Sequence, residues 1–288
     1  MTKNVQASGT ANIVVRDIDG SAQMRAVEAL QKQVWGIPDL EVVPLTHLVA
    51  AKAAGGVLLG AFDRENLVGF VYGFVGYEHG RVAHHSHMLA VAPAYRDFNL
   101  GHKLKLAQRE RVLAQGIEVM TWTFDPLQSL NAYFNFNKLG VLADCYFINF
   151  YGEDAASFLH RNGTDRLWAT WLLGSSRVNE RFGKTSFKPE LEPAIPLVQL
   201  GANDSPHRNE ISQGLSRDEA LIEIPADLNA LEQRSRELAS EWREATRWAF
   251  TEAIAAGYLV VDFCRQSRGD RRVGVYVLSR GKRLDDFG

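Results

Sequence analysis

The residues able to do chemistry in this chain crowd into one short stretch. His84, His85 and His87 stand just ahead of the run Val91-Ala92-Pro93-Ala94-Tyr95-Arg96-Asp97-Phe98-Asn99-Leu100-Gly101-His102-Lys103. Imidazole takes and releases a proton near neutral pH, with an unperturbed pKa of about 6.5. On a strand, His85 and His87 point to one face and His84 to the other. The loop after Pro93 opens directly into a helix predicted from Leu100 to Gln115. Free backbone N–H groups and the positive end of a helix dipole therefore collect where an anion could sit. An anion cradle beside a pair of near-neutral bases fits a phosphate-tagged donor and an acceptor that must lose a proton. A metal is not expected, because two histidines on one face with no Cys/His/Asp cluster nearby do not complete a ligand set.

These residues need a scaffold, and periodicity supplies a mixed α/β one. A first strand is predicted from Ile13 to Asp19. Ser21 then caps a helix to Trp35 with Met24, Val27, Leu30 and Val34 on one face. A helix from Leu45 to Ala54 follows, and strands at 57–62 and 67–77 form a hairpin. The histidine strand runs from Val82 to Val91. Beyond the Leu100 helix come a strand at 118–124, a helix from Leu130 to Leu139 closed by Gly140, and strands at 144–151 and 167–173. Gly69, Gly73 and Gly76 precede no helix start, so they read as bulges or close approaches rather than a nucleotide loop.

Arg96-x-x-Asn99-x-Gly101 resembles the acyl-CoA pyrophosphate signature of the GNAT acetyltransferase superfamily, usually (Arg/Gln)-x-x-Gly-x-(Gly/Ala). Val91-x-Pro93 resembles the end of that family's fourth strand. Asn99 stands where the first Gly is usual, and Asn is the non-Gly residue that best tolerates left-handed backbone. The resemblance covers about residues 13 to 175. It implies a GNAT fold with a mostly antiparallel sheet splayed between strands 4 and 5, and acetyl-CoA or another acyl-CoA as cofactor. In that picture the backbone of Leu89, Ala90 and Val91 meets the pantetheine. The amides of Phe98, Asn99, Leu100, Gly101, His102 and Lys103 wrap the diphosphate, with Arg96 adding charge. Asn131 borders the pantetheine path.

Asn131 to Val141 resembles the family's later helix, Ala-x-x-x-Tyr-x-(Lys/Arg)-x-Gly-Phe, with Ala132, Lys138 and Gly140 in register. The Tyr that protonates the departing thiolate in many members is Phe136 here, and a phenyl ring has no proton to give. Tyr133, Tyr146 or water then becomes the substitute acid. His85-x-His87-x-Leu89-Ala90-Val91 is similar to the same strand of arylalkylamine N-acetyltransferases, which implies that His85 and His87 deprotonate an amine.

The bulk properties bound the rest. With 288 residues, a net charge of −2 and 46% apolar residues, the chain gives no general pull toward nucleic acid or anionic membrane. No apolar run nears the roughly 20 residues of a membrane span, and Cys145 and Cys264 lack metal or redox spacing. A cytoplasmic location is expected. Residues 1–12 read as a flexible tail, 13–175 as the acyl-CoA domain, 176–219 as a proline-bearing connector and 220–288 as a small C-terminal α/β module. In that module Asp227 is predicted to cap one long helix to Ala256. Arg265, Arg268, Arg271 and Arg272 flank a hairpin turn and read as a solvated tip. The module is expected to cap the acceptor pocket or to build a homodimer. The implied activity is acyl transfer to the primary amine of a small molecule. Succinyl or other acyl transfer to an amino acid, and a non-catalytic acyl-CoA sensor, are the alternatives.

Overall fold

The computed structural model describes residues 13–78, 80–152, 162–182 and 194–288. They form two compact units, one closing at Met120 and the other opening at Thr121. The elements alternate β-α-α-β-β-β-α-β-α-β-β through residue 172, the order the resemblance implies. The fold is thus mixed α/β with a mostly antiparallel sheet.

The first unit holds β1 (Ile13–Asp17), α1 (Gly20–Trp35), α2 (Leu45–Ala53), β2 (Val57–Asp63), β3 (Asn66–Glu78), β4 (Arg81–Val91) and α3 (Leu100–Ala114). Strands β1, β2, β3 and β4 pair antiparallel in chain order. The expected cap of α1 moves: the helix starts at Gly20 after Asp19, and the Gln23 side chain accepts the Asp19 N–H at 3.0 Å. Ser21 therefore sits inside the first turn. Gly36 ends α1 in the left-handed region, its N–H bonded to the Lys32 carbonyl. Met24, Val27 and Leu30 pack with Leu48, Phe62, Phe70 and Tyr72 in one core.

Strand β4 carries a surplus residue. Tyr72 faces Met88 across the ladder and the next residue, Gly73, faces Ser86, so His87 has no partner position on β3. This β-bulge leaves His85 and His87 beside Phe74 on the face where Met88 and Ala90 also join the core.

The second unit takes most of β5 (Val119–Phe124), then α4 (Ser129–Ala132) running on into a π-helical segment (Tyr133–Leu139), β6 (Leu142–Phe147) and β7 (Arg166–Leu172). After α5 (Ser176–Arg181) come β8 (Val198–Leu200), β9 (Pro206–Arg208), α6 (Ile211–Gly214) and β10 (Glu219–Pro225). The chain ends with α7 (Leu228–Arg234), α8 (Arg236–Ala255), β11 (Tyr258–Arg268) and β12 (Arg271–Arg280). The strand order is β5-β7-β6-β11-β12-β10-β8-β9. The β10/β8 pair is parallel, while β6/β7, β6/β11, β11/β12 and β10/β12 are antiparallel.

Val260 of β11 pairs with Ala143 of β6, so the described residues from Thr121 on share one compact unit with the C-terminal strands. One expectation is corrected here. The long C-terminal helix is two helices. Asp227 caps α7 through the Ala230 N–H, Ser235 turns extended, and its hydroxyl caps α8 through the Leu238 N–H at 3.1 Å. The connector expected at 176–219 contains α5, β8, β9 and α6, and its residues 183–193 lie outside the described ones, as do 1–12.

Helix α8 is tied down by buried charge as well as by Trp242, Ala249 and Phe250. Arg243, nearly all buried, donates to Asp125 Oδ1 at 2.8 Å and to the Asn162 carbonyl. Arg247 donates twice to Asp165, whose carboxylate is fully buried and also accepts from the Tyr146 hydroxyl. Arg243→Met should strand Asp125 in low dielectric and cost about 3–5 kcal/mol. Urea unfolding of the full chain measures the loss, and an unchanged midpoint would refute the assignment.

Candidate functional site

The cradle is built from the end of β4 forward. The Ala92 N–H donates to the Val68 carbonyl at 2.8 Å, and the Tyr95 N–H donates to Ala92. The Tyr95 hydroxyl reaches Asp63 at 2.8 Å and pins the following 3-10 turn, Pro93–Phe98, to the β2–β3 hairpin. Asn99 then adopts φ 57°, ψ 28°, the left-handed geometry expected of it, and turns the chain into α3. The first backbone bond of the helix runs from the Lys103 N–H to the Asn99 carbonyl at 3.2 Å. The amides of Leu100 and Gly101 precede it in the first turn, while that of Lys103 is already engaged.

Leu100 is fully buried and fixes the helix start, whereas Arg96 and Lys103 are exposed. Gly101 is not needed for local packing, since an added Cβ would make an ordinary 3.6 Å contact with Leu89. A bare backbone at a helix start suits close approach of a ligand. Leu89 and Val91 lie on the α3 side of β4, and Ala90 lies in the opposite core.

The histidine pair lies on that opposite side. The His85 and His87 rings stand 6.3 Å apart, centre to centre, and both pack on Phe74, at 5.4 and 5.8 Å. Tyr72 meets His87 edge-on at 6.2 Å, and its hydroxyl bonds His47 Nε2 at 2.8 Å. Burial, then His87, then Lys105 lower the His85 pKa to about 4. Burial first and His47 second lower that of His87. Both rings are therefore neutral at pH 7 and able to accept a proton. Burial also holds the Tyr72 phenol above its ordinary value.

His84 faces the other way, as strand alternation requires, and is fully buried. Gly73 makes room for it, because a Cβ there would fall 2.3 Å from His84 Nε2. This close approach accounts for one of the three glycines of β3.

In the second unit, Phe136 has no exposed surface and packs between Phe124 and Tyr276, with ring centres 6.2 and 5.8 Å away. It is core, which explains its lack of a hydroxyl. Tyr133 is half-buried under the Arg265 guanidinium, 4.5 Å from the ring centre. Asn131 is exposed, and the Tyr146 hydroxyl is spent on Asp165. The arginine tip is exposed at Arg265, Arg268 and Arg272, as expected, but it also makes contacts: Arg268 pairs with buried Glu223, and Arg271 donates to the Gly201 carbonyl at 2.8 Å. Among the described residues no group of three His, Cys, Asp or Glu could hold a metal, and no helix is long and apolar enough to cross a membrane.

His47, Tyr72 and Phe74 were not legible as site residues, although Phe70, Tyr72 and Phe74 alternate along β3 as a one-face aromatic stripe. Lys105 and Gln108 lie on the buried face of α3. Gln108 falls midway between Leu104 and Val112 at four-residue spacing, a pattern in which a polar residue stands out.

No protein-family model matches the chain, and no curated protein does. Its fold is similar to solved GNAT acetyltransferases. The ribosomal-protein-S18-alanine N-acetyltransferase from Escherichia coli is 11% identical, with 56% of this chain and 94% of that one covered and a TM-score of 0.45. A GNAT family acetyltransferase from Elizabethkingia anophelis with acetyl-CoA bound is 14% identical over 57% and 99%, with a TM-score of 0.42. An aminoglycoside 6'-acetyltransferase type Ii is 17% identical over 56% and 96%, with a TM-score of 0.42.

Two tests follow from this geometry. Phe136→Tyr places a hydroxyl among Phe124 and Tyr276 and should lose about 1–3 kcal/mol of stability without raising any turnover; a gain in turnover would reinstate position 136 as the acid. The neutral histidines set an acid sensitivity. His84 and His85 titrate near pH 4 when folded and near 6.5 when unfolded, so the unfolded chain binds more protons between those values. Stability should fall as pH drops from 6.5 toward 4, and thermal melts of the native chain against His84→Gln read that slope.

Proposed function

We propose that this protein is a GNAT-type acyl-CoA N-acyltransferase that moves an acyl group, acetyl foremost, to the primary amine of a small molecule. The observation that carries the reading is the left-handed Asn99 opening α3 directly after the bulged histidine strand. The backbone amides at the start of α3, from Leu100 to His102, would face the diphosphate of the donor, with Arg96 adding charge. The backbone of Leu89, Ala90 and Val91 would meet the pantetheine and polarise the thioester carbonyl. Coenzyme A supplies an activated thioester, and the remaining steps fall to the chain's own groups.

His85 or His87 accepts the ammonium proton, directly or through water. The freed amine would attack the thioester carbonyl, the C–S bond would break as the C–N bond forms, releasing the thiolate, and the surplus proton on nitrogen would pass to solvent. Tyr133 is the assigned proton donor to that thiolate, while a thiolate leaving without help is also tolerable at an ordinary thiol pKa of about 8.5. Residues 220–288 would border the acceptor or join two copies of the chain, and the protein would act in the cytoplasm. The burial of Phe136 at the usual acid position favours a second reading, a non-catalytic acyl-CoA sensor.

Calorimetric titration with coenzyme A, followed by thiol release across a panel of amines and amino acids, separates the two readings. Binding with turnover supports the enzyme, binding alone the sensor, and absence of binding refutes both. Replacing His85 and His87 together by Ala should lower kcat/KM at least about 100-fold. The low His85 pKa has a direction: the base stays neutral well below pH 6.5, so the acidic limb of kcat/KM should lie below that value. A limb at 6.5 or above would remove His85 from the role.

A further inference from the structure

Behind the histidine strand lies a polar chain that the proposed chemistry does not use. Lys105 Nζ donates to Ser86 Oγ at 2.7 Å, and Ser86 Oγ donates to Gln108 Oε1 at 2.8 Å. With its oxygen so occupied, Gln108 turns its amide nitrogen to His84 Nε2 at 3.3 Å. All four side chains are buried, Lys105 and Ser86 at 3% and 5% exposure and Gln108 and His84 at none. The donors run in one direction, so each link fixes the next. As an ammonium Lys105 can only donate, Ser86 then passes its own proton to Gln108, and the Gln108 amide meets an imidazole nitrogen that carries no hydrogen. His84 is thereby held neutral with its proton on Nδ1, an atom that finds no partner.

This chain touches the strand at its decisive point. Ser86 is the last regularly paired residue before the His87 bulge, and Gly73 opposite it is bare so that His84 and Gln108 can fit. Lys105 and Gln108 sit on α3, whose first turn carries the cradle amides. Lys105 follows Gly101 by one helical turn. A single stiff helix therefore grips the back of the histidine strand and presents the anion-binding amides.

Resting on the acyl-transfer reading above, we propose that Lys105, acting through Ser86 and Gln108, is a positioning residue that holds the His85–His87 pair in register and keeps it uncharged. The groups acting on His85 are His87 and His84 on β4 and Lys105 on α3, with His47 on α2 acting on His87. Burial pushes the Lys105 ammonium well below its ordinary range, which does not require it to be neutral at the acid pH where His85 titrates. A cation there opposes a second one on the imidazole.

The test is histidine-labelled NMR of the full chain without acyl donor, paired with kcat/KM profiles. In the native chain His84 should give the neutral Nδ1–H tautomer at pH 7. Lys105→Met should move the His85 titration up by about one unit, the size expected of one charge at an effective dielectric of about 20, and the acidic limb of kcat/KM should move with it. Ser86→Ala keeps the charge but cuts the chain, so kcat should fall about tenfold through misplacement with little change in amine KM and no shift of the limb. Should Lys105→Met fail to fold, Gln108→Leu replaces it, and loss of the fixed His84 tautomer is the expected result. A His84 proton on Nε2, or a His85 titration and His84 tautomer unmoved by these variants, overturns the proposal. Because the NMR arm needs no turnover, a chain that transfers no acyl group fails the acyl-transfer reading without deciding this one.

Discussion

The site depends on one surplus residue in a strand. On either side of the β4 bulge the side chains obey opposite phases: His85 and His87 are odd-numbered, while Met88 and Ala90, on the same face, are even-numbered. A regular strand could satisfy one set only. Unbroken alternation through His87 would swing Met88 and Ala90 out of the core with Phe70 and Tyr72. Alternation set by Met88 and Ala90 would send both imidazoles to the α3 side. Inserting His87 without a partner on β3 keeps the chemical half and the packed half on one face. The cost of an unpaired position is offset by the core contacts retained downstream.

The bulge needs fixing from behind, because a strand that can slip by one residue has no defined site. Gly73 and Ser86 form the last regular pair, and the bare α-carbon of Gly73 lets His84 and Gln108 close over it. Beyond the bulge, Ala92 bonds Val68 and Tyr95 bonds Asp63, so the exit of the strand is anchored to the β2–β3 hairpin before Asn99 turns the chain. The left-handed residue inherits a fixed approach, which lets an asparagine do what a glycine usually does at a modest conformational cost.

Much of this was legible in the sequence, and what was not has a physical reason. Period and turn residues located the first eleven elements through β7 to within a few residues, because each carries a dominant apolar face. The shared face of His85 and His87, the opposite one for His84 and the geometry of Asn99 followed from strand alternation and from the tolerance of Asn for positive φ. The bulge was not legible, since its only trace is the change of phase between His87 and Met88, and two residues cannot establish a period. His47 and Tyr72 meet across 25 positions of sequence, and Lys105 reaches Ser86 across 19. Pairing at such distances is decided by packing, which local pattern does not encode. The pairing of β6 with β11 was not legible either, since Ala143 and Val260 lie far apart in sequence.

The second unit states the same lesson through charge. Asp125 and Asp165 are each bonded to an arginine on α8, far along the chain. Burying such pairs is a poor source of stability against an apolar alternative, but removing one partner is severe. That asymmetry makes α8 hard to detach from residues 121–175. It also explains Phe136. With α8 and β12 seated, Tyr276 lies edge-on against that ring and spends its own hydroxyl on the Pro126 carbonyl at 2.6 Å. The C-terminal residues thus fix the surroundings of position 136 by packing, and Phe136 belongs to a closed aromatic cluster with Phe124 and Tyr276.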